Sequence, residues 1–409
     1  MRQYDKISIF LLFFPFVLNA DIEFNTYTDD LEQRIENLEN EKKSKGIVNL
    51  GSENTTMFLG GKITLDTIYI HHANGQNGGS NRSDQFFNAN NIPTNTNGEN
   101  SELTLTARNS KFWIKTRTAQ VNEKPLMTLL EVDFWGSNGT ETNSNSHNVR
   151  LRHAYMLYNG WTLGQTNSLF VGSSKPHTLL APVDDVFMRQ PLISYKTEFS
   201  KSSLAISLEQ AESVIMTLEG DKTTVNDDKL PDIVIKYKSD SIWNNYSFSL
   251  LLRELRIDQE KQSSISDSTF GYGLNFTSYI HTYQENTLTF GLVGGKGIGR
   301  YMATSFFPSA VINDEQKLEA QFSWGTHIAY EHCIANNFHL NLALGKIETK
   351  TILDLDNINK SAWSGHLGLQ YNPIKKFLLG AEYIHGERTL LSDNTFTVDR
   401  LYLRASYNF

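Results

Sequence analysis

From Met57 to Phe409 the chain changes character at every second residue, in short runs separated by polar connections. Phe270, Tyr272, Leu274 and Phe276 alternate with Gly271, Gly273 and Asn275, and Phe338, Leu340, Leu342 and Leu344 with His339 and Asn341. Trp363, Leu367, Leu369 and Tyr371 alternate with Ser364, His366 and Gln370, and Leu318, Ala320, Phe322 and Trp324 with Glu319, Gln321 and Ser323. At the C-terminus Leu401, Leu403, Ala405, Tyr407 and Phe409 share one face, and Arg400, Tyr402, Arg404, Ser406 and Asn408 the other. A period of two places side chains alternately on opposite faces of a strand, so each run reads as a strand with one apolar and one polar face.

The connections alternate as well. Long polar segments such as His72–Ser101 and Ser137–His147 take turns with tight ones such as Asn159-Gly160, Asn336-Asn337 and Asn372-Pro373. Strands are expected near 57–71, 102–118, 125–136, 148–158, 161–172, 187–198, 202–211, 231–239, 244–256, 268–281, 286–299, 317–332, 337–348, 361–371, 376–388 and 396–409. Long loops at one end and tight turns at the other are the pattern of an all-β, antiparallel transmembrane barrel of about sixteen strands. Closure is what lipid demands, because an open sheet edge has no water to satisfy its amides and carbonyls. A barrel of that size is too wide for side chains to fill and holds a water channel.

Composition enters where it discriminates. Hydrophobic residues make up 39% of the 409, and the mean hydropathy is −0.38. No internal run approaches the roughly 18 apolar residues of a membrane helix. A barrel escapes that test because only alternate residues meet lipid. The 24 Phe and 17 Tyr suit strands and interfacial girdles. A net charge of −8 speaks against nucleic acid, whose phosphates call for a basic excess. The single cysteine, Cys333, excludes a disulfide framework.

Residues 1–20 read as a signal peptide: Arg2 and Lys6, an apolar run from Ile7 to Leu18, then Ala20. Phe24, Leu31 and Leu38 recur at a spacing of seven with Ile35 interleaved, which predicts a short charged helix over about Thr28 to Lys45. Two readings stand for it: a solvated surface helix, or a small coiled coil between subunits. The division is therefore 1–20 signal, 21–46 helical segment, 47–56 linker and 57–409 barrel, with Phe409 the terminal mark read by the barrel-insertion machinery.

Several segments, in order along the barrel, resemble the DcaP-like trimeric porins. They are Arg150–Tyr155 (RLRHAY), Leu163–Thr166 (LGQT), Val186–Pro191 (VFMRQP), Leu230–Asp232 (LPD), Leu251–Arg256 (LLRELR) and Gly297–Tyr301 (GIGRY), then Asn372-Pro373, Gly380–Tyr383 (GAEY) and Gly386–Arg388 (GER). Trp113 stands where the family usually has a small residue, and Lys296 where an acidic one is common. The resemblance implies a homotrimer in the outer membrane of a Gram-negative bacterium. It also implies a trimeric periplasmic coiled coil for residues 21–46, and diffusion of small solutes with anions such as dicarboxylates favoured.

In a channel the selective device is a constriction whose charges set the field across the lumen. The third long loop, Ser173–Val186, is the candidate, with Lys175, His177, Asp184 and Asp185 stiffened by Pro176 and Pro182. Strand parity points Lys111, Lys115 and Arg117 inward from the second strand, Glu131 and Asp133 from the third, and Arg150 and Arg152 from the fourth. A cationic ladder facing an acidic patch is the expected arrangement, with Arg253 a further lumen residue. The blander reading of the same charges is that they only hydrate the wall.

No catalytic, metal or cofactor site is expected. Gly291–Gly297 lacks one residue of a phosphate loop and has no Ser or Thr after Lys296. His71-His72 has no carboxylate or cysteine at ligand spacing. A rim enzyme would need a Ser/His/Asp group on adjoining strands. A surface-binding adhesin acting through long loops such as His72–Ser101 is the competing function.

Overall fold

The computed structural model describes residues 47–49, 54–75, 87–94, 98–120, 123–136, 143–225, 227–241, 244–258, 265–353 and 355–409. The signal and helical segments expected before residue 47 lie outside the described residues.

The barrel wall is β1 (Thr55–His72), β2 in two parts (Asn100–Thr106 and Lys111–Gln120), β3 (Glu123–Asp133), β4 (Arg150–Tyr158), β5 (Trp161–Asn167), β6 (Arg189–Phe199), β7 (Ser202–Glu209) and β8 (Asp232–Asp240). It continues through β9 (Asn244–Ile257), β10 (Asp267–His281), β11 (Thr287–Lys296), β12 (Phe322–Ala335), β13 (Phe338–Lys350), β14 (Asn359–Ile374), β15 (Phe377–Leu390) and β16 (Thr395–Asn408). Each strand pairs antiparallel with the next. β16 closes on β1, from Asn408 opposite Lys62 to Val398 opposite His72. Phe409 and Gly61 extend the closure by exchanging backbone hydrogen bonds of 3.0 and 3.3 Å. Below them Ile47–Asn49 pairs with the start of β1, Ile47 opposite Phe58.

The faces separate as the alternation requires. Leu65, Tyr69, Phe270, Tyr272, Leu344, Leu367, Leu401 and Tyr407 stand exposed on the outside. Ser249, Asn275, Ser323, Asn341, Ser364 and Arg400 are buried on the inside. An apolar exterior around a polar interior is the inverse of a soluble protein and the order a lipid-embedded barrel needs.

The interior is not evenly open. Three long connections fold into it: residues 87–92, 168–188 and 297–309. Phe87, Ile92, Phe170, Leu180, Val183, Ile298, Met302, Phe306 and Phe307 are buried there against inward-facing Ile68, Leu251, Val293, Ile347, Ile384 and Tyr402. Apolar surface hidden from lumen water stabilises this filling by about 25 cal/mol per Å2. The expected strand 317–332 proves to be two pieces. Leu318–Ala320 pairs with Ala310–Ile312 instead of the wall. Ala310–Ile312 in turn joins Ser213–Met216 and Lys222–Val225 in a four-stranded patch built from two long loops. Its side chains alternate as a wall strand's do, which is why the pattern did not separate them.

Candidate functional site: the constriction

The loop of residues 168–188 runs along the inner wall and is fastened along its length. Leu169 N–H donates to Glu209 Oε1 (2.9 Å), Ser249 Oγ–H to Leu169 O (3.1 Å), Asn275 Nδ2 to Phe170 O (2.6 Å) and Lys236 Nζ to Val171 O (2.7 Å). Further on, Ser174 N–H donates to Thr277 Oγ1 (3.2 Å), and His177 Nδ1 lies 2.8 Å from Glu331 Oε2. Glu382 accepts from the amides of Leu179 and Leu180, at 2.5 and 3.3 Å. Asp184 Oδ2 lies 2.6 Å from His327 Nδ1. The loop is thus fixed across β7–β15. Gly345 shows why this stretch of wall stays small: a Cβ there would come within 2.8 Å of both Asp184 Oδ1 and Pro182 Cβ.

Where the loop ends, a charged arc begins. Arg404 Nη1 donates to Leu179 O (3.3 Å), while its Nε and Nη2 grip Asp66 at 2.7 and 2.9 Å. Asp66 also accepts from Asn109, in the break of β2, whose Oδ1 accepts from Trp135 Nε1 (3.0 Å). Lys62 follows, directly opposite Lys111 in the β1–β2 ladder. Lys111 Nζ is 3.9 Å from Glu131. Arg152 bonds Glu131 at 2.6 Å and Asp133 at 3.0 Å, and Arg150 grips Asp133 with two bonds of 3.0 and 2.7 Å. A bulge makes this possible. Glu131 pairs with His153 but Val132 with Leu151, so Arg152 is an extra residue on β4. Such an insertion bends a strand and re-aims its side chains. Gly164 on β5 accommodates it with φ +133, where a Cβ would meet Ala154 O at 2.2 Å. Arg189, at the start of β6, completes the arc within electrostatic reach of Arg150, Arg152, Glu131 and Asp133. Its Nε is buried without a hydrogen-bond partner among the described residues, and its guanidinium stands 5.0 Å over the Phe187 ring.

The ten residues singled out from sequence divide between these two regions. Lys111, Glu131, Asp133, Arg150 and Arg152 meet in the arc, but the carboxylates sit beside the arginines on adjacent strands instead of facing them across the lumen. Lys115 is buried, with its ammonium 4.2 Å over the Trp113 ring. That indole lies flat over Gly60, where a Cβ would be 2.1 Å from it. Arg117 lines the periplasmic mouth of the open side, a cavity of about 650 Å3 that Met127, Leu157, Thr162 and Ser194 also border. Asp184 is buried as a loop anchor and Asp185 pairs with Lys175 at 3.1 Å. Arg253 is enclosed, 3.3 Å from Asp232 and donating to Gly297 O and Glu212 O. It faces inward as parity demands, yet the folded-in loops cover it. Sequence reading did not find Lys62, Asp66 or Arg189, and placed Arg404 only on the polar face of the closing strand. Lys62 and Asp66 share the inward parity of Phe58 and Thr64, a signal present in the run; the Arg404 partnership depends on closure between ends 338 residues apart.

One inner-wall group has the layout of a hydrolytic relay. His366 places Nδ1 2.9 Å from Glu382 and Nε2 3.0 Å from Ser364 Oγ. All three are buried, and Ser364 Oγ accepts from Val183 N–H at 3.0 Å. The serine is sealed beneath the loop and serves as its latch.

Comparison with known proteins agrees with this geometry. The family model for the DcaP outer membrane protein matches residues 21–409. No curated protein matches the chain. Among solved structures, the outer membrane channel DcaP of Acinetobacter baumannii is 20% identical with a TM-score of 0.73, covering 90% of this chain and 100% of that one. OmpF of Salmonella typhi, solved in complex with daunomycin, is 11% identical with a TM-score of 0.58 over 89% of this chain and 100% of its own. The trimer form of OmpT from Vibrio cholerae is 10% identical with a TM-score of 0.53 over 87% and 100%.

Proposed function

The chain belongs to the DcaP outer membrane protein family and is an outer-membrane porin, not an enzyme, and we propose that its channel favours anions among the small hydrophilic solutes it passes. The observation that carries the proposal is the charge count of the arc. Six cations (Lys62, Lys111, Arg150, Arg152, Arg189 and Arg404) stand against three carboxylates (Asp66, Glu131 and Asp133). The carboxylates are held by Arg404, Arg150 and Arg152, which leaves Lys62, Lys111 and Arg189 as the excess. Lys62 and Lys111 are a like-charge pair across a ladder rung, an arrangement that is unfavourable until an anion lies between them. A cleft of one sign with low-dielectric walls concentrates the opposite ion. Dicarboxylates suit the arc: one carboxylate meets Arg189 and the other the lysine pair.

Assembly follows from the outside of β1–β5. Thr116 and Thr128 hydrogen-bond at 2.7 Å and Thr55 and Thr118 at 3.0 Å, while Gln165 turns its amide back onto Leu151 O. Polar groups on an outward face are better buried against protein than lipid. This flank therefore faces two further copies in a homotrimer, with residues 21–46 as its periplasmic coiled coil, residues 1–20 as the signal and Phe409 as the insertion mark. A purified form that stays monomeric in mild detergent would remove the trimer.

The test of selectivity is the reversal potential in a salt gradient across a planar bilayer. Lys62→Gln with Arg189→Gln shifts it toward cation preference, and competing dicarboxylates lose their block of chloride current. An unchanged potential would refute the assignment of the arc.

A further inference from the structure

The outside of the wall holds a second charged arrangement, unrelated to the lumen and independent of the anion reading. Among the described residues, the lysines that face outward in the half nearest the long loops are Lys296 on β11 and Lys346 and Lys350 on β13. Lys296 lies opposite Phe322, and Phe322 opposite Lys350. The two lysines therefore share a rung two ladder spacings apart, about 9.6 Å. Both are exposed and neither makes an ion pair among the described residues. Lys346, four residues below Lys350, is held by Glu348 at 2.9 Å and lies 5.5 Å from the centroid of Trp324. Trp324 sits between, facing Gly294 on one side and Glu348 on the other, so the glycine leaves a shallow notch beside the indole. Beneath are Leu274, Leu292, Leu342 and Leu344, all exposed. Arg256 on β9, one strand beyond β10, is already matched by Asp258 at 3.0 Å.

From the membrane core outward the strip thus reads leucine, tryptophan, lysine. That order fits one molecule with acyl chains below and anionic groups at the rim. Long side chains at this level reach the headgroups, and a phosphate is the headgroup anion that two unmatched ammonium groups attract most. We infer that Lys296 and Lys350, with Trp324 between and below them, form a docking surface for the phosphates of a phosphorylated glycolipid in the outer leaflet.

The test uses the full chain reconstituted in nanodiscs containing diphosphorylated lipid A. Lipid retained per barrel after detergent extraction is counted by mass spectrometry. Retention is expected to exceed that of dephosphorylated lipid A and of phosphatidylglycerol at least five-fold. It should fall at least five-fold in Lys296→Gln with Lys350→Gln, and rise in Glu348→Gln. Equal retention of dephosphorylated lipid A would show an acyl grip alone. Equal retention of phosphatidylglycerol would show unspecific attraction, and undiminished retention by the double variant would place the site elsewhere; each overturns the inference. Should the double variant fail to insert, Glu348→Gln decides, since no gain in retention refutes the site.

Discussion

The two sides of the lumen solve the same problem in different ways. Along β7–β15 the wall is covered by backbone, and its inward charges are consumed in holding that cover: Glu209 and Glu382 accept loop amides, Asp184 meets His327, and Arg253 meets Asp232. Along β16 and β1–β6 the loops reach Ile68, Tyr402, Arg404 and Gln190, and between these the charges hold one another with cations left over. Facing inward and facing the water path are therefore separate properties. A charge in the covered half is a fastener; a charge in the open half belongs to the filter we propose. The sharpest way to break this distinction is to remove one arginine from each side and compare stability with selectivity.

Arg253→Met is expected to have the largest effect. It leaves Asp232, fully buried, with the neutral Tyr301 hydroxyl at 2.7 Å and, as its remaining cation, the more distant Arg300 at 3.9 Å. Removing one partner of a buried ion pair costs roughly 3–5 kcal/mol. The variant should lose its heat-resistant gel mobility at markedly lower temperature, with the reversal potential unmoved. Arg150→Met is the counterpart. Its side chain is 38% exposed, and Asp133 keeps Arg152. A partly exposed pair contributes about 0–1 kcal/mol, so stability should hardly change while anion preference declines. If Arg150→Met destabilised the barrel as much as Arg253→Met, the arc would be a fastener too.

Glu382→Gln is intermediate. It keeps the shape but removes the charge from bonds to the Leu179 and Leu180 amides and to His366. Hydrogen bonds to a charged group contribute about 1.5–3 kcal/mol. The loop should loosen without the barrel unfolding, seen as larger and noisier single-channel currents. Currents as quiet as those of the unaltered channel would mean that the remaining fastenings suffice.

How much of this the sequence disclosed follows from the same comparison. A period of two gave the strands and their inward faces, so Lys111, Glu131, Asp133, Arg150 and Arg152 were legible as lumen charges from their own runs. Their mutual pairing was not, because it depends on one inserted residue at Arg152 that period counting passes over. Arg253 has the same signal as Arg150, and its burial comes from residues 297–309, whose inward fold leaves no period. Leu318–Ala320 shows the converse: a loop strand that alternates like the wall. Local pattern reports which way a side chain points; what lies in front of it is a matter of long-range packing.

The smallest expected effect lies above the covered half, where Asp228 ties the connection between β7 and β8 to β9. Its Oδ1 accepts from Ser213 Oγ–H at 2.8 Å and from Arg256 N–H at 3.0 Å, but its Oδ2 is buried without a hydrogen-bond partner among the described residues. Burial pushes its carboxyl up to about 6 from the ordinary 3.8, against the pull of Ser213 and Arg253. A carboxyl whose value is raised on folding favours its neutral form there. Its contribution is therefore complete below about pH 3.8 and is lost as the pH rises through about 6. Protection of the Ser213–Met216 amides from hydrogen exchange should accordingly be greater at pH 5 than at pH 7.5, after correction for the intrinsic rate. Asp228→Asn removes the ionisation and should abolish that difference, while the arc, which shares no contact with this roof, keeps its selectivity. A difference that persists in Asp228→Asn would assign the pH dependence to another group and leave the roof's anchorage to its apolar packing on Leu255 and Ile257.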